Sequence, residues 1–494
     1  MLNRREFLAR GAEAGAAAFL LPVACARRVE SPGVVLNDVH SGLNETRVAE
    51  VVRPGSADEV ARTVRDAAGR GLSVSVGGGR HAMGGQQFGE GTVHVDTTGL
   101  SRVLELDRAA GQVEAEAGIQ WPELHERLLE AQADGESRWG IRQKQSGADR
   151  LCLGGALAAN VHSRALTAAP IVEDVEAFTL VDASGDTHRC SRTENAELFS
   201  LGIGGYGLFG VVTSVRLRLA PRRVVRRQVA ITEARDLMET FDRRIDEGCT
   251  FGNFQYSIDY ASETGLWEGV LSSYWPVDAD ELPAGAERRQ LRRDDWLELV
   301  RLAHRDPARA FGTYSAYYLT TDGQLYWSDA HQLSTYVEDY HAILGARLGR
   351  YAGGGEMITE VHVPRGQFAR FLETVRGDFR RHRPNLIYGT VRLVEPEHDT
   401  FLSWAREPWA CVIFNLHVQP ERGAVGKAAD DFRRLIDRGL ELGGTYYLTY
   451  HRWATREQVL AAHPALPAFL ERKRAFDPEE RFQSEWYRHH RGLL

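Results

Sequence analysis

One loop of the sequence combines five glycines with a histidine directly after a strand-like run. It reads Gly77-Gly78-Gly79-Arg80-His81-Ala82-Met83-Gly84-Gly85-Gln86-Gln87. Glycine permits positive φ and a close approach of the backbone, so successive N–H groups of such a loop can converge on a pyrophosphate. The loop lacks the Gly-x-Gly-x-x-Gly spacing of nicotinamide-binding Rossmann folds and the Gly-Lys-Ser/Thr of nucleoside triphosphatases. It therefore indicates phosphate binding of another type.

A second glycine cluster, Gly202 to Gly210, precedes the alternating apolar and polar run of residues 211–219. For any single glycine, a tight turn that binds nothing is an equally good interpretation. Two clusters in one region together favour a ligand that the backbone approaches at two places.

Short strands and helices alternate between Glu50 and Pro221 and are expected to position both clusters. Ser56 is a candidate helix cap, and apolar residues recur at helical spacing between Val60 and Ala68. The run 72–76 alternates as a strand and leads straight into the first glycine loop. A strand that feeds a glycine loop is the arrangement expected of a phosphate site.

The pattern predicts an α+β fold of two domains. Pro221 and the arginine pair after it mark the boundary, so a ligand-binding domain spans 46–221 and an aromatic-rich α+β domain spans 222–471. The C-terminal segment 472–494 is expected to return and pack on the first domain.

Several motifs together resemble the FAD-binding domain of the vanillyl-alcohol-oxidase or PCMH-type flavoproteins, over residues 46–221. The motifs are Arg53–Ser56, Gly77–Gln86, Leu153–His162, Glu197–Phe199 and Gly204–Gly210. Phe476–Ser484 is similar to the closing motif of the sugar-lactone and alditol oxidase branch, and the cytokinin dehydrogenase-like members share the same fold. The resemblance implies an FAD that lies extended across the first domain, with its isoalloxazine facing a pocket roofed by the second, substrate domain.

The resemblance also implies which residues bind FAD. His81 stands where many members attach the flavin covalently, so FAD linked through His81 is expected, whereas Arg80 stands where many relatives have glycine. A histidine in a turn is otherwise most often a solvated side chain. The predicted cofactor-binding residues are Gly77, Gly78, Gly79, Arg80, His81, Ala82, Met83, Gly84, Gln86, Gly154, Gly155, Leu157, Asn160, Val161, Gly207, Gly210 and Val211.

Thr390-Val391-Arg392 resembles a stretch of the alditol and lactone oxidases in which an acidic residue and an arginine line the substrate pocket. Here Thr390 fills the acidic position. Arg392 is expected to donate hydrogen bonds to a substrate oxygen and to stabilise reduced flavin. An ion pair of Arg392 with Glu395 or Glu397 is the alternative.

Three further residues are candidates for proton transfer or substrate orientation. Tyr450 and His451 are candidate bases, because phenol and imidazole groups accept protons once their pKa values are tuned. Tyr450 stands where the related decaprenylphosphoryl-ribose oxidase has a lysine, which argues against the same substrate. His162, which the resemblance implies lies next to the isoalloxazine, is expected to orient substrate or flavin.

These residues predict an FAD-linked oxidase or dehydrogenase that oxidises a CH–OH group of a small sugar-like or alditol substrate by hydride transfer to flavin N5. A cell-wall-precursor type flavin reductase and a non-catalytic binding protein of the same fold are the alternatives.

The candidate electron acceptors are oxygen, a quinone and a redox protein. The resemblance implies that the residue at position 161, here Val161, controls access of oxygen to the flavin. A bulkier side chain there favours a dehydrogenase, which reacts slowly with oxygen, over an oxidase. Valine is stiff at χ1, so slow reaction with oxygen is expected. Simple core packing of Val161 is the alternative.

Asn3-Arg4-Arg5-Glu6-Phe7-Leu8, followed by a weakly apolar stretch, predicts a twin-arginine export signal over residues 1–26. The mature protein is then periplasmic or extracellular, either cleaved after Ala26 or lipidated at Cys25. An amphipathic N-terminal helix is the alternative. The apolar run 14–23 is too short to span about 30 Å of hydrocarbon, so no transmembrane segment is expected.

The formal net charge of -8, from 60 Lys and Arg against 68 Asp and Glu, provides no general basic field, and nucleic acid is not expected as a partner. The remaining cysteines, at positions 152, 190, 249 and 411, form no Cys-x-x-C motif and no cluster with histidine. Neither a metal site nor a redox dithiol is predicted, and buried free thiols are favoured over a disulfide.

Overall fold

The computed structural model of the chain describes residues 33–135, 139–282, 289–334 and 354–494, together with 343, 345 and 346. The export signal predicted at 1–26 lies outside the described residues and stays a prediction. Among the residues described, no helix combines the length and the apolar character needed to cross a membrane.

A small parallel sheet positions the first glycine loop. Its central strand β5 pairs in parallel with β3 on one side and with β4 on the other. Helix α1 covers the sheet and begins after Ser56, whose Oγ accepts a hydrogen bond from the N–H of Glu59. The elements are β1 (Val34–Leu36), β2 (Thr46–Val48), β3 (Glu50–Val52), α1 (Ala57–Gly69), β4 (Val74–Gly77) and β5 (Val93–Asp96).

A second, antiparallel sheet follows, in the order β10-β9-β11-β7-β6, with β8 paired to the end of β11. Two short helices that carry the other glycine motifs, α3 and α4, lie between its strands in sequence. The elements are β6 (Val103–Asp107), β7 (Gln112–Glu116), α2 (Trp121–Ala131), β8 (Trp139–Ile141), α3 (Leu153–Ala159), β9 (Val175–Val181), β10 (Thr187–Ser191), α4 (Ala196–Gly202) and β11 (Val211–Pro221).

The rest of the chain builds an antiparallel sheet in the order β15-β12-β14-β13-β17-β18-β16-β19. Its strands are β12 (Val224–Glu233), β13 (Phe251–Tyr256), β14 (Glu268–Val277), β15 (Leu325–Trp327), β16 (Gly355–Pro364), β17 (Leu386–Val394), β18 (Trp409–Val418) and β19 (Thr445–Tyr446). Its helices are α5 (Leu237–Asp246), α6 (Arg293–Arg305), α7 (Pro307–Leu319), α8 (Phe368–His382), α9 (Arg422–Leu440), α10 (Arg456–Ala462), α11 (Leu466–Phe476) and α12 (Glu485–Leu493).

The two faces of this large sheet differ in chemistry because side chains alternate along a strand. Val361 and Val363 of β16 share an apolar core with Phe371 of α8 and Phe432 of α9. Glu360 and His362, which alternate with these valines in β16, belong to the opposite face. The mixture of parallel and antiparallel sheets with packed helices confirms the α+β class.

The segment after α11 pairs with the strand that leads into the first glycine loop. The N–H of Val74 in β4 donates to the carbonyl of Arg481, and the N–H of Gln483 donates back to the carbonyl of Val74. Phe482, 1 % exposed, enters the core beneath β4. Buried Asp477 accepts hydrogen bonds from the backbone N–H groups of Arg481 and Phe482, which fixes the turn.

Candidate functional site

A cavity of about 1010 Å³ runs from the glycine loops to one face of the large sheet. Its volume lies at the upper end of the range for small-molecule and cofactor pockets, which suits a long ligand. Loop residues such as Gly78 and Gly207 line one part of the cavity, and the side chains of Arg392 and Tyr450 line another.

The first glycine loop is packed too closely for side chains. A Cβ on Gly78 would lie 2.7 Å from the sulfur of Cys152, and one on Gly79 would lie 2.3 Å from the carbonyl oxygen of Arg150. Arg80 has a φ of 56°, in the left-handed region that glycine adopts without strain. This conformation explains why glycine suits the same place in related loops.

Helix α3 brings a second stretch of backbone to the cavity. Gly154 packs against the chain, since a Cβ there would lie 2.9 Å from that of Ala117. Gly155 lines the cavity, and a Cβ at this position would meet no atom within 4 Å. The cavity is therefore open directly over the α3 backbone, as a cofactor that lies against this helix requires.

Most of the predicted cofactor residues meet at this wall. Those that line the cavity are Gly77, Gly78, Gly79, Arg80, His81, Ala82, Met83, Gln86, Gly154, Gly155, Val161, Gly207 and Gly210.

The structure does not bring four of the predicted cofactor residues to the cavity wall. Gly84 packs against the backbone of Thr449, and Leu157 and Val211 lie in the core. Asn160 caps α3, and its side chain contacts Glu397 and the N–H of Val172.

His81 lies at the cavity wall and is 9 % exposed. Its Nδ1 is 2.9 Å from Nε2 of His40, another residue that lines the cavity. Burial lowers the pKa of His81 to about 3, and the nearby His40 and Arg150 act in the same direction. The imidazole is therefore neutral at physiological pH.

A buried carboxylate lies directly behind the polar wall and contacts two of its side chains. Oε1 of Glu360 lies 2.6 Å from Nε2 of His162 and 3.0 Å from Nε2 of His362. The hydroxyl of Tyr450 lies 3.5 Å from Oε2 of the same carboxylate. Burial raises the pKa of Glu360, but the two histidines outweigh it and hold the pKa well below its usual range. Glu360 is therefore an anion with no solvent exposure.

Arg392 reaches the cavity from β17 and is 7 % exposed. The ion pair considered with Glu395 or Glu397 is absent, because Glu395 pairs with Arg365, and Glu397 accepts hydrogen bonds from Asn160 and Thr400. Within the described part of the chain, the buried Nε of Arg392 has no hydrogen-bond partner. A donor left in this state at a cavity wall points to a ligand.

The two candidate bases take different positions. Tyr450 lines the cavity, and burial raises the pKa of its hydroxyl, with Glu360 adding to the effect. The hydroxyl is therefore protonated at neutral pH and able to donate a hydrogen bond. His451 does not line the cavity: its Nε2 lies 3.0 Å from Oγ1 of Thr359, and its ring stacks on Tyr446. Burial lowers the pKa of His451 to about 3.

Sequence reasoning missed Glu360 and His362. Both face the cavity side from β16, where Glu360 is opposite Ile413 and His362 is opposite Cys411 of β18. On β17, the other neighbour of β18, Thr390 fills the position expected to be acidic. Its hydroxyl donates to the carbonyl of Phe254. The carboxylate therefore comes from a different strand. The sequence did carry a signal, because Glu360 and His362 occupy alternate positions of an otherwise apolar stretch and so belong to one face of a strand.

The four described cysteines, Cys152, Cys190, Cys249 and Cys411, are buried free thiols, as favoured over a disulfide.

Residues 48–191 match the FAD binding domain family. The chain is 29% identical to cytokinin dehydrogenase 4 of Oryza sativa subsp. japonica over 47% of its own length and 44% of the relative. It is 26% identical to the L-gulonolactone oxidase of Bos taurus over 39% of this chain and 42% of the relative. The alignments thus span less than half of these two relatives.

A longer alignment exists with decaprenylphosphoryl-beta-D-ribose oxidase of Mycolicibacterium smegmatis, which is 22% identical over 90% of this chain and 95% of the relative. Residues 48–191 therefore form an FAD binding domain, and the chain is similar to FAD-linked oxidoreductases. FAD is accordingly the cofactor that the glycine loops and α3 fit. The match of this domain agrees with the open space over Gly155.

Replacing Gly155 with leucine tests the place of the cofactor. Leucine is a better helix former than glycine, so α3 is expected to persist while the new side chain enters the cavity. We expect FAD binding to weaken by about tenfold or more, which corresponds to about 1.4 kcal/mol. The ratio of flavin to protein absorbance in the purified protein measures this. Gly426→Leu, on the exposed face of α9, is the matched control, and equal flavin content in both variants would contradict the assignment.

Proposed function

We propose that the protein oxidises a CH–OH group of a small hydroxylated substrate, of sugar-like or alditol type, while FAD accepts the hydride. The observation that carries the proposal is the buried Glu360 anion, which contacts His162 and Tyr450 at the wall of the same cavity that the glycine loops line. Arg392 adds a cation to this wall. The four side chains supply a proton acceptor and hydrogen-bond donors for one substrate oxygen.

Glu360 and His162 form the proton-accepting pair. The carboxylate lies 2.6 Å from Nε2 of His162, Nδ1 lies 3.3 Å from the carbonyl of Ser163, and the two contacts fix the ring. His162 lines the cavity, whereas Glu360 does not, so the imidazole is the group that meets substrate. The pair accepts the hydroxyl proton as the carbon gives up its hydride.

Tyr450 and Arg392 orient the substrate oxygen. Because burial keeps the pKa of Tyr450 above its ordinary value, its hydroxyl stays protonated and donates. The Arg392 guanidinium has a buried Nε–H that can donate to the same oxygen. Donors directed at a developing negative charge stabilise it most where water is excluded.

An aromatic wall supports the rest of the substrate. Tyr314, Tyr317 and Tyr318 of α7 line the cavity with Tyr326 of β15. The guanidinium of Arg227 lies 4.5 Å from the ring centre of Tyr318 and anchors this wall. Aromatic faces suit a substrate with a flat or apolar side, which a sugar ring also presents.

Replacing Glu360 with glutamine keeps the shape of the side chain and removes its charge. We expect kcat for the best alcohol substrate to fall by about 100-fold or more, because general base catalysis contributes on that scale. A panel of alditols, aldoses, lactones and amines, assayed with a dye acceptor, identifies the substrate and measures the change.

Glu395→Gln is the matched control, because Glu395 pairs with Arg365 away from the reacting groups. FAD content should remain unchanged in both variants. Turnover of amines only, or an E360Q enzyme with full activity on alcohols, would contradict the proposed function.

We also propose that FAD is linked covalently through His81. The support is the position of His81 at the cavity wall in the glycine loop and its neutral imidazole, which would replace a hydrogen on a methyl carbon of the flavin. This replacement would release two protons and two electrons, and the flavin ring would take up the electrons and pass them to the electron acceptor. His40, 2.9 Å away, orients the ring through Nδ1. A covalent bond retains the cofactor where free FAD is scarce.

The His81→Ala variant tests this linkage. Acid precipitation should leave the flavin in the pellet for the unmodified protein and release it entirely into the supernatant for H81A. His188→Ala, at a partly exposed contact with Asp182, serves as the control and should behave as the unmodified protein. Complete release of flavin from the unmodified protein would rule out covalent attachment.

We propose a quinone or redox protein, rather than oxygen, as the electron acceptor. Val161 lines the cavity next to His162 and is 7 % exposed, so its branched side chain stands at the cofactor wall. The proposal is that this side chain blocks the approach of oxygen to reduced flavin.

The Val161→Gly variant should react with oxygen about tenfold faster or more, equivalent to about 1.4 kcal/mol in the barrier. Stopped-flow reoxidation of substrate-reduced protein measures the rate, with Val161→Ile as the control that keeps a branched side chain. Fast oxygen reaction in the unmodified protein, with no increase in V161G, would refute the gate.

A further inference from the structure

A second polar cluster lies on the same face of the large sheet, away from the reacting groups. Glu356 of β16 is directly opposite His417 of β18, and α6 contributes His304. One ligand atom from each of these residues lies within 4.8 Å of the other two. Glu356 precedes Glu360 by four residues of strand, a separation of about 13 Å.

We propose that His304, Glu356 and His417 bind one divalent transition-metal ion, for which Zn²⁺ is the best match. Two imidazole nitrogens and one carboxylate oxygen form a ligand set that zinc accepts, with a fourth position for water or another oxygen. Borderline nitrogen donors favour zinc and its neighbours over Mg²⁺ or Ca²⁺.

Asn415 provides an independent indication of a ligand here. It is 9 % exposed, and its Nδ2 donates to Glu356 Oε2 at 2.8 Å. Within the described residues its buried Oδ1 has no hydrogen-bond partner. An unsatisfied buried oxygen beside a carboxylate is costly unless a cation is near, and an ion bound by Glu356 would compensate for it.

The surroundings of His417 suit a metal ligand. The side-chain amide nitrogen of Gln419 lies 3.1 Å from Nε2 of His417. If the amide oxygen and nitrogen of Gln419 exchange places, the oxygen accepts a hydrogen bond from the Nε2–H of His417. Metal-bound histidines commonly donate their second ring N–H to such an oxygen. A Cβ on Gly354 would lie 2.3 Å from Nε2, so glycine leaves room for the ring.

The other group of this kind, His162, Glu360 and Cys411, fits an ion less well. Oε1 of Glu360 is already 2.6 Å from His162 and 3.0 Å from His362, distances of direct hydrogen bonds. Burial raises the pKa of the Cys411 thiol well above its usual value, so the thiolate that zinc requires is disfavoured. The cluster at Glu356 is therefore the better metal site.

Metal binding would connect a helix of the cavity wall to the sheet. Leu297, Val300 and Ala303 of α6 line the cavity, and His304 follows directly. An ion shared by His304, Glu356 and His417 would join α6 to β16 and β18. The proposed role of the ion is to fix this wall in place, without a part in electron transfer.

Untagged, flavin-loaded protein is treated with a chelator, dialysed and supplied with Zn²⁺ alone. We expect one zinc per chain by elemental analysis, a higher melting temperature with zinc than with chelator, and slower proteolysis within α6. X-ray absorption at the zinc edge should show about two imidazoles and no sulfur.

His417→Gln and Glu356→Gln should each lose the bound zinc and its thermal effect. His382→Gln, at a partly exposed position of α8, is the control and should keep both. Zinc retained in both cluster variants, zinc lost in His162→Gln instead, or a sulfur ligand in the absorption spectrum would overturn the proposal. The flavin spectrum, recorded on every sample, separates loss of zinc from loss of fold.

Discussion

The arrangement of the site depends on one buried charge. Glu360 has no solvent exposure, and a carboxylate in that environment must be paired or must take up a proton. Two imidazoles and a phenol surround it, and the removal of one partner would leave the others beside an uncompensated charge. The pairing therefore constrains β16, which carries Glu360 and His362, and the loop after α3, which carries His162.

The same region joins the cofactor wall to the substrate wall. The ring of Trp404 packs 4.6 Å from that of His362, and its Nε1 donates to the carbonyl of Asn160. The hydroxyl of Tyr447 donates to the carbonyl of Ala159. Asn160, which sequence reasoning placed at the cofactor, thus holds the end of α3 against the large sheet. His162 is positioned relative to Glu360 by these contacts.

Local signals were sufficient for the cofactor side. Glycine clusters next to strands report their own backbone conformation, so Gly78 and Gly207 could be predicted from local sequence to lie at a ligand, whereas Gly155 was predicted from the family resemblance. The polar wall depends on strand pairing between residues far apart in the chain, and one sequence does not define that register. Neighbouring Tyr450 and His451 show the difficulty, because only one of them reaches the cavity.

The pairing of residues 481–483 with β4 has a consequence for the order of assembly. β4 leads into the glycine loop, yet one of its neighbours is made roughly 400 residues later in synthesis. Contacts of such long sequence separation form slowly, because loop closure must precede them. A growing polypeptide on the ribosome cannot complete the strand that supports the loop. The support of the glycine loop is therefore complete only after translation of the segment around Phe482, and shortened chains that stop before this segment leave the loop without it.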